Sequence, residues 1–202
     1  MLAKLVKTGL RRLVSPPRPE AAQQTDVREP GQLSLLELLA EDLATHGDSL
    51  IEPGFWAVAS HRLERRAAVS DASVLARSFK LSARLLSGAV DQVWGIHITP
   101  RTELGRRVRI WHCGCILLDA RSIGDDVHIR HATTFGPLRD RQRSQIDDLP
   151  IIQDGADIGS GVCVLGGVTV GKGALVGANS VVLKTVPAGA TVLGVPARIV
   201  PT

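Results

Sequence analysis

The sequence predicts a parallel β-helix with three-sided coils, preceded by a small α-helical region. Two observations carry that prediction. The first is a six-residue beat of aliphatic residues through the second half of the chain. It runs through Ile98, Leu104, Ile110 and Ile116, then Ile123, Ile129 and Phe135. After a gap it resumes at Ile152, Ile158, Val164, Val170, Val176 and Val182. Small or β-branched residues stand four places after many of these: Val108, Val127, Ala156, Val162, Val168, Ala174, Ser180 and Val186. A period of six is neither helical nor a plain strand alternation. It marks a solenoid in which each short strand makes one flat side of a coil. The second observation is composition: only 3% of residues are aromatic and none is Tyr. An interior of stacked Ile, Val and Ala leaves little room for rings.

Taken in order, residues 1–31 read as a flexible basic, Pro-rich tail. Leu2, Leu5, Val6, Leu10, Leu13 and Val14 alternate with Lys4, Lys7, Arg11 and Arg12. That pattern also suits a short amphipathic helix on a membrane surface, but Pro16, Pro17 and Pro19 favour the tail. The stretch is too short and too charged to span a bilayer or to act as a secretory signal. Three Cys without an export signal point to a reducing compartment, so a cytoplasmic setting is expected.

Residues 32–94 read as helical. Leu33, Leu36, Leu39, Ala40 and Leu43 make an apolar face that ends near Gly47. Pro53 suits a helix first turn, with Phe55, Val58, Ala59 and Leu63 following at helical spacing. A third segment carries Leu75, Phe79, Ser82, Leu86, Val90 and Val93. These helices are expected to cover the open edge of the first coil, as solenoid ends require. Residues 95–202 form the β-helix, with a polar loop at 136–151 where the beat is broken. Long loops inserted in regular solenoids usually carry function. Gly105, Gly124, Gly159, Gly171 and Gly177 stand beside inward aliphatic residues and read as corner residues needing unusual φ.

Charge excludes some classes. The net charge is +4, with basic clusters at Arg106, Arg107 and Arg109 and at Arg139, Arg141 and Arg143. No aromatic residue interleaves with them, so a stacking platform for nucleic acid is missing. They read as a solvated face, or as contacts for the phosphates of a nucleotide-like cofactor. Cys113 and Cys115 are too few for a zinc site and read as core or corner residues, so no metal is expected. His46 and His61 read as surface residues of the helical part. His128 and His131 read as facing outward or lying near the loop.

Trp94 to Pro201 resembles the catalytic domain of the serine acetyltransferase branch of the hexapeptide acyltransferases. IGSGVCVLGGVTVGKGALVGANSVVLKTVPAGATVLGVPARIV is similar to that family's C-terminal coils almost end to end. The resemblance implies a left-handed β-helix that uses an acyl-CoA, acetyl-CoA above all, as co-substrate, and works as a homotrimer with sites shared between subunits. In Arg109-Ile110-Trp111-His112-Cys113-Gly114, His112 matches the family's catalytic base, and Trp111 replaces the Asp that precedes it. The family's orienting Asp falls on His97, which then orients His112 or binds the acceptor. The Arg and His that the family uses for serine recognition fall on Asp148 and Leu149. The resemblance places the pantetheine arm near Gly136, Ser160 and Ala178, and the adenosine phosphates near Lys184 and Arg198. Asp147, Asp148 and Trp111 are the candidate acceptor contacts. The chain stops soon after Pro196-Ala197-Arg198, without the longer tail by which the family docks on cysteine synthase, so that complex is not expected.

The chemistry fits these groups. A hydroxyl is a weak nucleophile at neutral pH and needs a base as it attacks a thioester, and imidazole suits the task. Backbone N–H groups can hold the oxyanion. The expectation is therefore an acyl-CoA-dependent O-acyltransferase, serine acetyltransferase-like, acting on a small hydroxyl acceptor. The altered acceptor residues also admit a sugar or an amine. A non-catalytic β-helix scaffold is the alternative from another class, and His112 argues against it.

Overall fold

A computed structural model describes residues 33–69, 73–139 and 144–200. The expected tail at residues 1–31, and Arg141 and Arg143, lie outside the described residues. Three helices come first: α1 (Leu35–Thr45), α2 (Pro53–Ala68) and α3 (Val74–Trp94). Ser34 starts α1 with a capping box. Its hydroxyl accepts from the Glu37 N–H, and the Glu37 carboxylate accepts from the Ser34 N–H at 2.8 Å. Two amides that a helix start leaves unpaired are thereby satisfied. Pro53 occupies the first turn of α2, where its missing N–H costs nothing. Gly95 ends α3 in the left-handed region, at φ 62°.

The helix faces differ from those the spacing suggests. Leu36 of α1 is 77% exposed, whereas Asp42 on that helix and His46 just beyond it are buried. The reason is the partner: α1 meets Arg62 and the first coil, which offer polar groups. On α3, Leu75 and Val93 are exposed, and Ala76, Ala83 and Val90 are buried at seven-residue intervals. Small residues in that row let α3 lie close to α2.

The rest of the chain is a parallel β-solenoid with three faces. Face one stacks β1 (Ile96–Ile98), β4 (Ile116–Leu118), β7 (Thr134–Gly136), β10 (Cys163–Leu165) and β13 (Val181–Val182). Face two stacks β2 (Glu103–Leu104), β5 (Ser122–Ile123), β8 (Ile151–Ile152) and β11 (Thr169–Val170). Face three stacks β3 (Arg109–Trp111), β6 (His128–Arg130), β9 (Asp157–Ile158), β12 (Leu175–Val176) and β14 (Thr191–Leu193). β15 (Arg198–Ile199) closes face three by pairing antiparallel with β14. The expected parallel β-helix is present. The beat residues Ile110, Ile129, Phe135, Ile158, Val164 and Val176 are all buried, stacked on their equivalents one coil away. Each such side chain contributes roughly 1.5–3 kcal/mol of burial.

The register corrects one member of the beat. Leu118, not Ile116, stands opposite both Ile98 and Phe135. Trp111 and Leu117 are six positions apart, whereas their ladder partners Arg130 and Thr134 are four apart. The corner between β3 and β4 therefore holds two extra residues, which shift the pattern.

The glycines are structural for a reason other than φ. None of Gly105, Gly124, Gly159, Gly171 and Gly177 has a positive φ. A Cβ on Gly159 would stand 2.6 Å from the Ala178 nitrogen, and one on Gly171 would stand 2.5 Å from the Ala188 nitrogen. Close approach of the next coil requires glycine there. Left-handed φ falls instead on Cys115, Ala132, Gly161 and Asn179 at the corner between faces three and one, and on Arg107, Asp126, Gly155, Gly173 and Gly189 at the corner before face three.

The helical region is clasped to the first coil by polar contacts. Arg62 holds buried Asp42 in a two-pronged pair and donates to the Gly105 carbonyl at 2.8 Å. Arg106 and Arg107 both reach Glu41, and Arg107 also pairs with Asp126. Arg109 donates to the Thr45 carbonyl at 2.8 Å. The basic cluster at 106–109 thus faces its own chain rather than an open surface or a phosphate. His46 and His61 are buried, each 2% exposed, which corrects the expectation of surface residues. His46 donates from Nδ1 to the Asp42 carbonyl at 2.7 Å and accepts the Ile110 N–H at Nε2. Burial pushes the His61 imidazole down to about 4.

Candidate active site

The two extra residues between β3 and β4 are expelled from the prism, and they carry the candidate base. His112 is exposed with φ 64°, in a turn that continues through Cys113 and Gly114 to Cys115. It is therefore not on a strand, and the alternation of strand side chains does not govern it. Cys113 and Cys115 are exposed corner residues rather than core. The Trp94 carbonyl accepts from the Gly114 N–H at 2.9 Å, and the Gly95 carbonyl from the Ile116 N–H at 2.8 Å, so the turn is pinned to the junction of α3 and β1.

Below this turn the same corner continues down the solenoid. The Ala132 N–H donates to the Gly114 carbonyl, the Gly161 N–H to the His131 carbonyl and the Asn179 N–H to the Ser160 carbonyl. His131 lies beside His112, with rings edge-to-face at 5.8 Å. The corner thus gathers His112, His131, Ser160 and Ala178. Among the described residues, no carboxylate lies within ion-pair distance of His112.

Trp111 lies half-buried on the outer side of β3. The Arg109 guanidinium stacks over its ring at 3.8 Å. Its indole N–H donates to His128 Nδ1 at 3.3 Å. Burial pushes the His128 imidazole down, so at neutral pH it is uncharged, with its proton on Nε2. His128 belongs to this cluster.

His97 is at the centre of β1, the edge strand of face one, with its side chain turned outward. Its Nδ1 lies 3.1 Å from Asp91 Oδ2, on the last turn of α3. Asp91 escaped the sequence reading. Its only local signal was a carboxylate near a helix end, and the partner lies across the Gly95 turn.

The remaining candidates, apart from Arg198 at the end of face three, lie on the other side of face one. Gly136 ends β7, and the inserted loop follows it to β8, at the corner between faces one and two. Asp147 and Asp148 sit in a single 3-10 turn on that loop, both exposed. Asp147 pairs with Arg121 at 2.8 Å, and Asp148 accepts the Gln145 N–H at 2.9 Å. Lys184 follows β13 at the same corner. Arg198 is exposed on β15 and donates to its neighbour, the Ala197 carbonyl. Within one chain, then, face one separates the His112 corner from the corner that bears Asp147, Asp148, Gly136 and Lys184.

Among the described residues, no cluster of three or more His, Cys, Asp or Glu could hold a metal ion. No described helix is long and apolar enough to cross a membrane.

Comparison with known proteins is decisive for family. A solved serine acetyltransferase apoenzyme, truncated, is 30% identical with a TM-score of 0.65, over 84% of this chain and 72% of its own. The chain belongs to the serine acetyltransferase-like hexapeptide-repeat acyltransferases. It shares their left-handed β-helix. A serine acetyltransferase solved in complex with CoA is likewise 30% identical, with a TM-score of 0.66, over 84% of this chain and 71% of its own. The serine acetyltransferase of Bacillus pumilus (strain SAFR-032) is 39% identical over 125 residues, covering 61% of this chain. The chain spans 56% of that relative's length and 61% of that of the Mycobacterium tuberculosis serine acetyltransferase, which is 35% identical. No family model matches the chain.

Proposed function

We propose that the protein is an acetyl-CoA-dependent O-acyltransferase in which His112 is the general base toward the hydroxyl of a small acceptor. The observation that carries this reading is the placement of His112. It stands exposed on an expelled turn, above the column of Ser160 and Ala178, in a chain of this family. His112 takes the acceptor's hydroxyl proton as the oxygen attacks the thioester carbonyl. The carbonyl π electrons move to oxygen, and backbone N–H groups stabilise the oxyanion. Collapse expels the CoA sulfur, which takes the proton from His112, and the ester leaves.

One coil edge is too shallow to bury a pantetheine arm. We therefore assign the working unit as a homotrimer, whose neighbouring subunits set the His112 corner of one chain against the loop corner of the next. Ser160, Ala178 and Gly136 would line the arm, and Lys184 and Arg198, both exposed cations, would meet the phosphates.

The acceptor is a neutral polyhydroxyl compound in this reading. Asp148 and Leu149 stand where the family carries cationic serine-recognition groups, and Trp111 stands where it carries an acid. A carboxylate at 148 repels an amino-acid carboxylate and accepts from hydroxyls. Serine is the second reading, favoured by the relatives' names and by a Neisseria gonorrhoeae serine acetyltransferase solved with serine, 27% identical to this chain. Thioester cleavage from acetyl-CoA with L-serine, D-glucose, xylitol and a cationic amine decides between them. D-glucose or xylitol is expected to lead in kcat/KM, and a wide lead for L-serine would overturn the acceptor assignment. His112→Asn should lower turnover by roughly two to four powers of ten with unchanged circular dichroism. Near-normal turnover would remove His112 from the mechanism.

A further inference from the structure

Two imidazoles border the upper end of face one: His112 on the expelled turn and His97 on the edge strand β1. They are not equivalent. His97 Nδ1 is engaged by the Asp91 carboxylate at 3.1 Å, while Nε2 has no partner among the described residues. The two side chains are 39% and 38% exposed, so the pair is open to a ligand. Its geometry is nonetheless set from both sides. Asp91 is held on the last turn of α3, where its carbonyl accepts from the Gly95 N–H at 2.8 Å. His97 is held by the ladder, opposite Leu117. The Gly95 carbonyl in turn accepts from the Ile116 N–H, which ties the pair to the strand that follows the His112 turn.

A carboxylate can only accept, so it selects the tautomer with the proton on Nδ1. In the neutral ring this leaves the lone pair on Nε2. Such a group receives a hydrogen bond from a hydroxyl and has nothing to offer a carboxylate.

We infer that the Asp91–His97 pair is an acceptor-recognition dyad, in which His97 Nε2 binds a second hydroxyl of the acceptor and Asp91 is the positioning residue that holds the ring and fixes the neutral tautomer whose lone pair lies on Nε2. This rests on the proposed acyl transfer and deepens it. The acceptor must present one hydroxyl to react at His112 and another to donate to His97. That requirement fits a sugar or polyol and excludes a simple alcohol as a good acceptor. His97 takes no proton in the reaction.

The test has two arms. In nitrogen-15 NMR of the full chain, followed up in pH until the ring is neutral, His97 should show one tautomer with the proton on Nδ1, and Asp91→Asn should give a mixture. A wild-type His97 carrying its proton on Nε2, or an unchanged tautomer in Asp91→Asn, overturns the dyad. In thioester-cleavage kinetics with D-glucose, Asp91→Asn and His97→Phe should raise KM roughly tenfold while kcat stays within about threefold, because uniform binding is lost. Asp91→Glu should recover most of the KM. If the wild type turns over D-glucose and neither variant alters its KM, the dyad is wrong and the acyl transfer stands. If the wild type cleaves acetyl-CoA with no acceptor, the proposed function falls. Titration of D-glucose against the His97 Nε2 resonance then decides the dyad: a saturable shift lost in Asp91→Asn supports it, and no shift overturns it.

Discussion

His61 couples acidity to the stability of the helix–coil junction, and the structure supplies the size of the effect. The ring, on the inner side of α2, is 2% exposed, its Nε2 lies 3.2 Å from the Thr99 carbonyl, and Nδ1 has no partner among the described residues. Burial is the main cause of its low pKa, about 4 against 6.5 for the free side chain, with Arg65 and Arg62 adding repulsion. Above pH 6.5 the imidazole is neutral in both folded and unfolded chains and contributes no pH dependence. Below that, the unfolded chain binds a proton that the folded chain refuses, so stability falls until the folded ring protonates near pH 4. The loss through this one residue is roughly 2 kcal/mol by pH 5 and roughly 3 kcal/mol by pH 4, at 1.36 kcal/mol per pKa unit. The perturbation is His61→Leu, which removes the titration and keeps an apolar occupant. Urea unfolding of both proteins at pH 7 and pH 5, at one protein concentration, measures the change. The wild type should lose about 2 kcal/mol more than the variant. Lowered carboxylates such as Glu41 contribute equally to both proteins and cancel. If the two proteins lose equal stability, the imidazole reaches water or an acceptor partner in solution, and the burial argument fails.

Three further outcomes follow from the packing. Asp42→Asn should destabilise the fold by roughly 3–5 kcal/mol in urea unfolding, because it leaves the buried Arg62 charge without its partner. The double change Asp42→Leu with Arg62→Met should recover much of that loss. Gly159→Val should lower the melting temperature sharply, since even its Cβ would stand 2.6 Å from the Ala178 nitrogen; Gly88→Ala, with open space around it, should leave the melting temperature within a few degrees. Sedimentation should show a trimer whose dilution to monomer abolishes acetyl-CoA cleavage, and a dilute monomer with full activity would contradict the shared site.

The solenoid was legible because its information is local and repeated. Every coil presents the same narrow interior to the residue that points inward, so Ile129, Ile158 and Val176 recur at fixed positions whatever lies elsewhere. The same repetition explains the one slip. Two extra residues at the His112 corner displaced the beat from Leu118 to Ile116, and spacing alone cannot tell an expelled turn from a continued strand. The glycines were recognisable as structural, but not for their true reason, which is the approach of the next coil's backbone. His112 was legible as a candidate through resemblance to a motif, as were the replacements at Trp111, Asp148 and Leu149.

What only the tertiary structure decided are the contacts that join distant parts of the chain. His46 meets Ile110, Arg62 meets Asp42 and Gly105, and Trp111 meets His128 across separations with no period. Burial of polar groups follows from such meetings, so His46 and His61 looked like surface residues by type and proved to be interior by partner, as is Asp42. Asp91 belongs with them: its carboxylate gains a role only because the left-handed Gly95 turn brings α3 back over the first strand. Periodicity reports the environment that each residue shares with its repeats, and the pairings at the helix–coil junction occur once.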